Sequence, residues 1–312
     1  MKGRMPFVLL VSTLFCILPE LGQPANDDEV AQARVLVNAD KLADAESLLR
    51  QAVQRDPKSA DGYFLLGYVL FREQKPKESL AEFTAGAQVR LPDADDFRVI
   101  ASDYVLLADY ADAEKWFAEV ARQRPDDPTS WYLLGRAQYN EDHFTTAIAS
   151  FERALALRPQ YLEAENNLGL AYQGLNDPTH AMAAYRTAVG WQQDHPADAQ
   201  PYLNLGALLT DQSQAEQALP YLQTAARLAP KNPKVHEELG RAYDARDELP
   251  RAQHELEQAA ALAPSASGLH FKLGQIYRRE GMRDRAEQEF AICARLNSTH
   301  SSVATPNPYT PN

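Results

Sequence analysis

Histidine and cysteine are the first candidates for metal or catalytic chemistry, and the chain has seven histidines and two cysteines among its 312 residues. His254 and Glu255 begin the pattern of a zinc-protease helix, but the second histidine of that pattern is missing. The sequence has no glycine-rich phosphate loop, no G-x-S-x-G nucleophile turn and no paired cysteines that would suit a metal. We therefore expect no catalytic residue, no metal site and no cofactor.

The elements that would position other functional residues follow from a regular spacing of small residues. Small residues recur every 34 positions, with one shift of three residues, at Gly67, Ala101, Gly135, Gly169, Gly206, Gly240 and Gly274. A fixed period of this length is typical of stacked helical hairpins. Such stacks bind other molecules along their surfaces, so the period predicts a mode of action but not a partner.

The unit that starts at Pro128 shows the repeated pattern most fully. Its positions 4, 7, 8, 20, 24, 27 and 32 hold Trp131, Leu134, Gly135, Ala147, Phe151, Ala154 and Pro159. Positions 4, 7 and 8 share one face of a first helix, and positions 20, 24 and 27 share one face of a second. Small residues at positions 8, 20 and 27 let the two helices approach closely, and proline at position 32 ends the second helix.

This pattern resembles the tetratricopeptide repeat (TPR) family, and the resemblance covers residues 26–300. It implies an all-α fold, a right-handed α-α solenoid of about eight helical hairpins. The repeats are predicted to start near residues 26, 60, 94, 128, 162, 199, 233 and 267.

Three departures from the pattern carry further expectations. The three-residue shift between 194 and 198 predicts a longer turn between repeats five and six. We expect Pro220 to lie in the first turn of its helix, where a missing N–H is tolerated. Cys293 occupies position 27, so we expect a buried, inert thiol.

The resemblance also implies that positions 2, 5, 6, 9, 12 and 13 line the concave side of the stack. Asparagine can pair with a peptide N–H and C=O together, and tyrosine adds contact area at low entropic cost. The predicted groove site comprises Tyr68, Tyr132, Arg136, Tyr139, Asn140, Asn166, Asn167, Gln173 and Asn204. The alternative is that these are ordinary exposed helix residues.

A second, basic cluster occupies inner positions of the last two repeats: Lys234, Arg241, Lys272, Arg278 and Arg279. It could receive an acidic segment or a terminal carboxylate. Glu237, Glu238 and Asp244 are interleaved with it, however, so internal salt bridges are the favoured interpretation.

The two ends of the chain differ from the repeats. Residues 1–22 combine Lys2 and Arg4 with a short apolar run, which predicts a signal peptide or, alternatively, an uncleaved N-terminal anchor. The protein would then be exported, periplasmic or secreted. Residues 301–312 offer little apolar surface to bury and are predicted to be a disordered tail.

Charge and repeat architecture together restrict the function. A net charge of −12 argues against nucleic acid or an anionic membrane surface as the main partner. We expect a non-enzymatic scaffold or adaptor that binds a protein or peptide segment in its concave groove, in cell-envelope assembly or secretion by analogy with exported family members. The alternatives are a structural subunit that uses its ends or outer face, and a protein that acts on a small molecule or carbohydrate. Self-association through repeat eight is a further expectation.

Overall fold

The computed structural model describes residues 24–302, and within this range the chain forms sixteen α-helices and no strand. The helices are α1 Pro24–Asn38, α2 Leu42–Arg55, α3 Ala60–Arg72, α4 Pro76–Ala87, α5 Ala94–Leu106, α6 Tyr110–Gln123, α7 Pro128–Asn140, α8 Phe144–Leu157, α9 Leu162–Gly174, α10 Pro178–Gly190, α11 Gln200–Asp211, α12 Ala215–Leu228, α13 Pro233–Ala245, α14 Leu249–Leu262, α15 Ser267–Arg279 and α16 Arg283–Ser302. The predicted signal segment 1–22 lies outside this range, and so does the predicted tail beyond Ser302.

The prediction of an all-α solenoid of helical hairpins is confirmed, with the helices alternating as first and second members of successive hairpins. First helices begin at residues 24, 60, 94, 128, 162, 200, 233 and 267. Contacts divide the chain into two compact units, Met1–Leu107 (unit 1) and Ala108–Asn312 (unit 2). No helix in the described part of the chain is long and apolar enough to cross a bilayer.

The two helices of a hairpin approach each other most closely at position 8. A Cβ atom added to Gly135 would lie 2.7 Å from Phe151, and one added to Gly169 would lie 2.4 Å from Tyr185. Neither distance leaves room for a side chain, so the large residue at position 24 fills the space above the glycine. The same arrangement recurs at Gly67 with Phe83, Gly206 with Leu222, Gly240 with Leu256 and Gly274 with Phe290.

A residue with a left-handed backbone conformation ends the first helix of each repeat. Position 15 has a positive φ in all eight repeats, and only Gly281 is a glycine; the others are Asp40, Gln74, Ala108, Asp142, Asn176, Ser213 and Asp247. The next residue's N–H then bonds back to the carbonyl at position 11, as from Lys75 to Leu70 at 2.9 Å. This is the helix-ending arrangement that glycine normally serves best.

Neighbouring hairpins are joined mainly where the second helix of one packs on the first helix of the next, and successive first helices also contact each other. In unit 1, α3 contacts both α1 and α5, and in unit 2 α7 contacts α9 and α11 contacts α13. Second helices of successive hairpins make no comparable contact within the described range. The first helices therefore form the inner side of each unit, in line with the inner positions that the resemblance implies.

A polar pair is buried between two hairpins of unit 1. Asp103 at position 10 and Ser79 at position 20 of the preceding repeat are both fully buried, and their side chains hydrogen-bond. The Ser79 hydroxyl also lies 2.8 Å from the Gly67 carbonyl, and the second carboxyl oxygen of Asp103 has no partner. Burial raises the pKa of Asp103 to about 7, although the Ser79 contact opposes that rise.

The predicted longer turn is present between Gly190 and Gln200, and the side chain of Gln192 organises it. The Gln192 amide oxygen accepts hydrogen bonds from the backbone N–H groups of Ala197 at 3.1 Å and Asp198 at 2.7 Å. Its amide nitrogen lies 3.4 Å from the Asp198 carbonyl. Because these contacts replace regular secondary structure, the extra residues form an ordered connection.

Two local expectations are wrong. Helix α12 begins at Ala215, so Pro220 lies in its second turn, on the exposed side, and not in the first. Cys293 is a free cysteine that is only partly buried, whereas position 27 is fully buried in the earlier repeats. The reason is that in those repeats a following first helix packs beside the second helix. In addition, α16 continues through Ser302, two residues into the segment predicted as a tail.

The Asp103 carboxyl predicts a pH dependence of stability. Between pH 3.8, its ordinary pKa, and about 7, the folded chain holds a proton that the unfolded chain has released. The free energy of unfolding therefore falls as pH rises through this window, by at most about 1.4 kcal/mol per pH unit, and levels off above it. Urea titrations of the native chain and Asp103→Asn at pH 5 to 8 should give a stability difference that grows in favour of the asparagine variant. Parallel curves would contradict this assignment.

The left-handed backbone conformation at position 15 leads to a prediction that glycine at this position raises the free energy of unfolding. Ser213 has φ of 60°. Ser213→Gly should stabilise the protein by about 0.5–1 kcal/mol, because glycine adopts this conformation without a Cβ clash. Ser213→Ala is the matched control, since it removes the hydroxyl but keeps the strain. In chemical denaturation, only Ser213→Gly should unfold with a higher free energy than the native chain. Equal stabilities of the two variants would count against backbone strain at this position.

Candidate functional site

Unit 1 carries an open groove of about 840 Å³ along the inner side of α1, α3 and α5. Its floor is apolar and includes the side chains of Val37, Phe64, Leu65 and Val99. Tyr68, the predicted site residue in this unit, lies half-buried in the lining. The groove thus has the concave form and mixed lining of a site that binds an extended segment.

Ion pairs form the rim of this groove. Arg72 pairs with Asp40 at 2.8 Å, and Arg90 pairs with Asp61 at 2.9 Å. The Arg90 guanidinium also lies 5.3 Å from the ring centre of Phe64. Arg98 pairs with Asp95 at 2.8 Å. These pairs fix the positions of the rim charges before any ligand arrives.

Arg34 differs from the other arginines of the groove. It is exposed, lines the groove, and has no ion pair within the described part of the chain. It also lines an adjoining pocket of about 460 Å³, whose wall includes Lys58 and Ser59. Arg34 therefore offers hydrogen-bond donors to a bound segment without first breaking a salt bridge.

In unit 2, the structure brings together the central residues of the predicted site. The Asn167 amide donates to the Tyr132 hydroxyl at 3.3 Å and to the Glu163 carbonyl at 2.7 Å. The Arg136 guanidinium lies 5.7 Å from the Tyr132 ring centre. Burial raises the pKa of the Tyr132 phenol, and the charge of Arg136 opposes that rise. Tyr132 therefore stays a neutral hydrogen-bonding group near pH 7.

The next two first helices continue this arrangement. The Asn204 amide donates to the Asn166 amide oxygen at 2.9 Å, and the Gln200 amide donates to the Asn204 amide oxygen at 2.8 Å. Asn166 is buried, whereas Asn204 is only partly covered. We call the set Tyr132, Arg136, Asn166, Asn167, Gln200 and Asn204 the amide row. It crosses α7, α9 and α11 at positions 2, 5, 6 and 9.

Three predicted site residues make a ring contact or a hydrogen bond inside their own hairpins. Tyr139 packs its ring 5.6 Å from that of Phe144. The Asn140 amide donates to the Arg136 carbonyl at 2.8 Å, and Gln173 accepts a hydrogen bond from the buried Tyr185 hydroxyl. Their hydrogen bonds and packing support the hairpins themselves.

The basic cluster of the last repeats is mostly engaged in salt bridges. Lys234 reaches Glu237 at 3.0 Å and Glu238 at 2.9 Å, and Arg241 bonds Glu238 and Asp211 at 2.6 Å each. Although burial disfavours ionisation of Glu237, its hydrogen bonds from Lys272 and Lys234 lower its pKa.

The remaining two arginines of the cluster behave differently from each other. Arg279 pairs with Asp244 and, at 2.6 Å, with Asp247. Arg278 instead lies with its guanidinium 5.9 Å from the ring centre of Phe290. A bound acidic segment would therefore compete with existing pairs for most of this cluster.

Sequence reasoning missed several lining residues. Gln200 is at an inner position but was not selected, although its amide extends the amide row. Arg90 and Asp93 follow α4 and sit outside the inner helical positions, yet both line the unit 1 groove. The described residues include no group of three or more His, Cys, Asp or Glu side chains that could hold a metal. The residues that line the groove and the amide row offer hydrogen bonds, ion pairs and apolar contact.

Comparison with known proteins gives distant relatives. A curated relative, tetratricopeptide repeat-containing protein trd-1 of Caenorhabditis elegans, is 25% identical over 177 residues. That match covers 56% of this chain but only 22% of the relative, so this chain spans a small part of that protein's length.

Two solved structures share the fold. A tetratricopeptide repeat protein from Parabacteroides merdae matches with a TM-score of 0.64 at 14% identity, covering 80% of this chain and 98% of that one. YrrB, a TPR protein with an unusual peptide-binding site, matches with a TM-score of 0.51 at 20% identity, covering 54% of this chain and 86% of that one.

Family models agree with the repeat structure. A tetratricopeptide repeat model matches residues 30–95, 99–162, 132–200, 166–233 and 237–298, and a second model of the same repeat matches 209–260. These matches cover most of the chain and coincide with the helical hairpins. The chain therefore belongs to the tetratricopeptide repeat family.

Proposed function

We propose that this protein is a non-catalytic adaptor that holds an extended protein or peptide segment against its first helices. The unit 1 groove is the observation that carries this proposal, since it combines an apolar floor with charged groups along its rim. Proteins of this family generally act as interaction scaffolds, and YrrB has a peptide-binding site. An apolar side chain of the segment would fill the floor, and its polar groups would meet the rim.

The amide row gives unit 2 a second surface of the same kind. Asn167 uses its amide nitrogen internally and leaves its amide oxygen without a recorded partner in the described chain. Arg136 contacts a ring but has no recorded carboxylate partner among the described residues. Such groups suit the backbone of an extended segment, which presents one donor and one acceptor per residue.

The compartment is part of the proposal. A charged start followed by a short apolar run at residues 1–22 supports export, with a role in cell-envelope assembly or secretion. The adaptor would then act in the periplasm or outside the cell.

Export has its own test. The intact mass of the protein recovered from its native cells should lack about the first 22 to 25 residues, because the apolar run matches a cleaved signal peptide. A full-length mass in the membrane fraction would instead show an N-terminal anchor, and a full-length mass in the cytosolic fraction would contradict export.

Binding is tested by in-cell crosslinking with three variants and the native chain. The groove variant carries Arg34→Ala and Tyr68→Ala. The row variant carries Tyr132→Ala, Arg136→Ala, Asn167→Ala and Asn204→Ala. The control carries Lys77→Ala and Arg186→Ala, two exposed residues on second helices. We expect one protein to be captured by both the native chain and the control, and its captured amount should fall at least about tenfold with the groove variant or the row variant.

Circular dichroism must show native helix content in every variant, so that loss of capture reports binding and not folding. If all four proteins capture the same partner equally, the inner faces are not the interface. The structural role, with contacts at the outer face or ends, would then replace the adaptor proposal.

A further inference from the structure

Equivalent positions differ sharply in exposure between the first hairpin and the later ones. Position 10 is at most 4% exposed from repeat two to repeat eight, where it holds Val69, Asp103, Ala137, Ala171, Leu208, Ala242 and Ile276. In repeat one the same position holds Val35, which is 67% exposed. An apolar residue at a position that is otherwise buried is therefore left uncovered on α1.

The last hairpin shows the complementary difference. Phe271 at position 5 is 47% exposed, and Phe290 at position 24 is partly exposed, whereas position 24 is at most 2% exposed in the earlier repeats. Cys293 at position 27 is likewise only partly buried. These residues lie on the side of α15 and α16 that, in earlier repeats, receives the next first helix.

The internal junctions show what would cover each face. Position 10 of one repeat meets position 20 of the preceding repeat, as the Asp103–Ser79 hydrogen bond shows. Position 6 meets position 5 of the preceding repeat, as Asn204 does Asn166. The first helix of one hairpin is thus the recorded partner for the far side of the hairpin before it.

The two uncovered faces satisfy the same pairing rules. Val35 at position 10 would lie beside Ala286 at position 20, which is small and already buried, and the exposed Ala31 at position 6 would lie against the exposed Phe271 at position 5. Inside unit 2, position 11 also meets position 25 of the preceding repeat, where the Tyr277 hydroxyl donates a hydrogen bond to Glu257 at 2.6 Å. On the two uncovered faces, positions 11 and 25 hold Leu36 and Ala291. Every one of these pairs is apolar, so no polar group loses a partner on contact.

We propose that α1 of one copy packs on the α15–α16 hairpin of a second copy, so that the chain associates head to tail. The α1 face of one copy is covered by the α15–α16 face of a second, identical copy. This contact is heterologous, because different surfaces meet, so each copy can bind one further copy at each of its two faces. Ala31 lines the pocket that adjoins the unit 1 groove, but none of the named contact residues belongs to the groove lining or to the amide row. The proposal stands independently of the adaptor function.

The first test is sedimentation of the purified native chain over a range of concentrations. The weight-average mass should rise above the monomer mass as concentration increases. Val35→Arg and Phe271→Arg should each weaken association at least about tenfold, since each places a charge in the centre of an apolar contact. Leu91→Arg is the matched control, because Leu91 is 83% exposed and lies away from both faces. A native chain that stays monomeric at every concentration, or equal effects of all three variants, would overturn the proposal.

The second test identifies which surfaces meet. In a chain that carries Cys16→Ser and Cys293→Ser, one protein receives Ala31→Cys and another receives Phe271→Cys, because both positions are exposed and are paired by the proposed contact. Mild oxidation of the mixture should yield a disulfide-linked pair that contains one copy of each. Neither protein oxidised alone should match that yield. Self-linked Ala31→Cys dimers at equal yield would show that two α1 faces meet, and no mixed pair would show that the α1 and α15–α16 faces do not meet; either result overturns head-to-tail packing.

Discussion

The structure depends on one steric constraint, the contact between a small residue at position 8 and a large residue at position 24. At Gly135 and Phe151 the ring occupies the volume that a Cβ would need, and the two helices close to a distance that no larger residue permits. Repeat one satisfies the same constraint differently, with Ala33 and Leu49, both fully buried. In repeats one to seven this contact buries the large side chain at position 24, which is worth about 1.5–3 kcal/mol relative to its exposure.

This contact also positions the functional surfaces. A hairpin with a fixed separation presents one side of its first helix in the same orientation each time, so inner positions line up along a unit. Tyr132 meets Asn167, Asn166 meets Asn204, and Glu237 meets Lys272, all through positions 5 and 6 of successive repeats. The side chains change from amides to charged groups along the repeats, but the pairing of position 5 with position 6 of the next repeat stays the same.

Most of the fold could be predicted from sequence because its cause is periodic. Gly135, Phe151 and Pro159 carry the steric rule in their residue types and spacing. The left-handed turn at position 15 was missed, although Asp, Asn or Gly, which tolerate this conformation, hold the position in five repeats. Gln74 and Ala108 carry no such signal, and there the surrounding helix-ending hydrogen bonds accompany the conformation. Pro220 was misplaced because the start of α12 at Ala215 was not identified from the sequence, and this start puts the proline in the second turn.

The site was only partly predictable, and the difference lies in the partners of each residue. The resemblance identifies inner positions. Sequence alone cannot show that the Gln173 amide oxygen accepts a hydrogen bond from Tyr185, or that Arg241 forms salt bridges with both Asp211 and Glu238. A guanidinium already held by two carboxylates must give up charge-assisted hydrogen bonds before it binds a ligand. An arginine without such a pair, as Arg34 is among the described residues, gives up only water. Recognition is therefore expected where inner-face charges are least neutralised, beside Arg34 in unit 1 and beside Arg136 in unit 2.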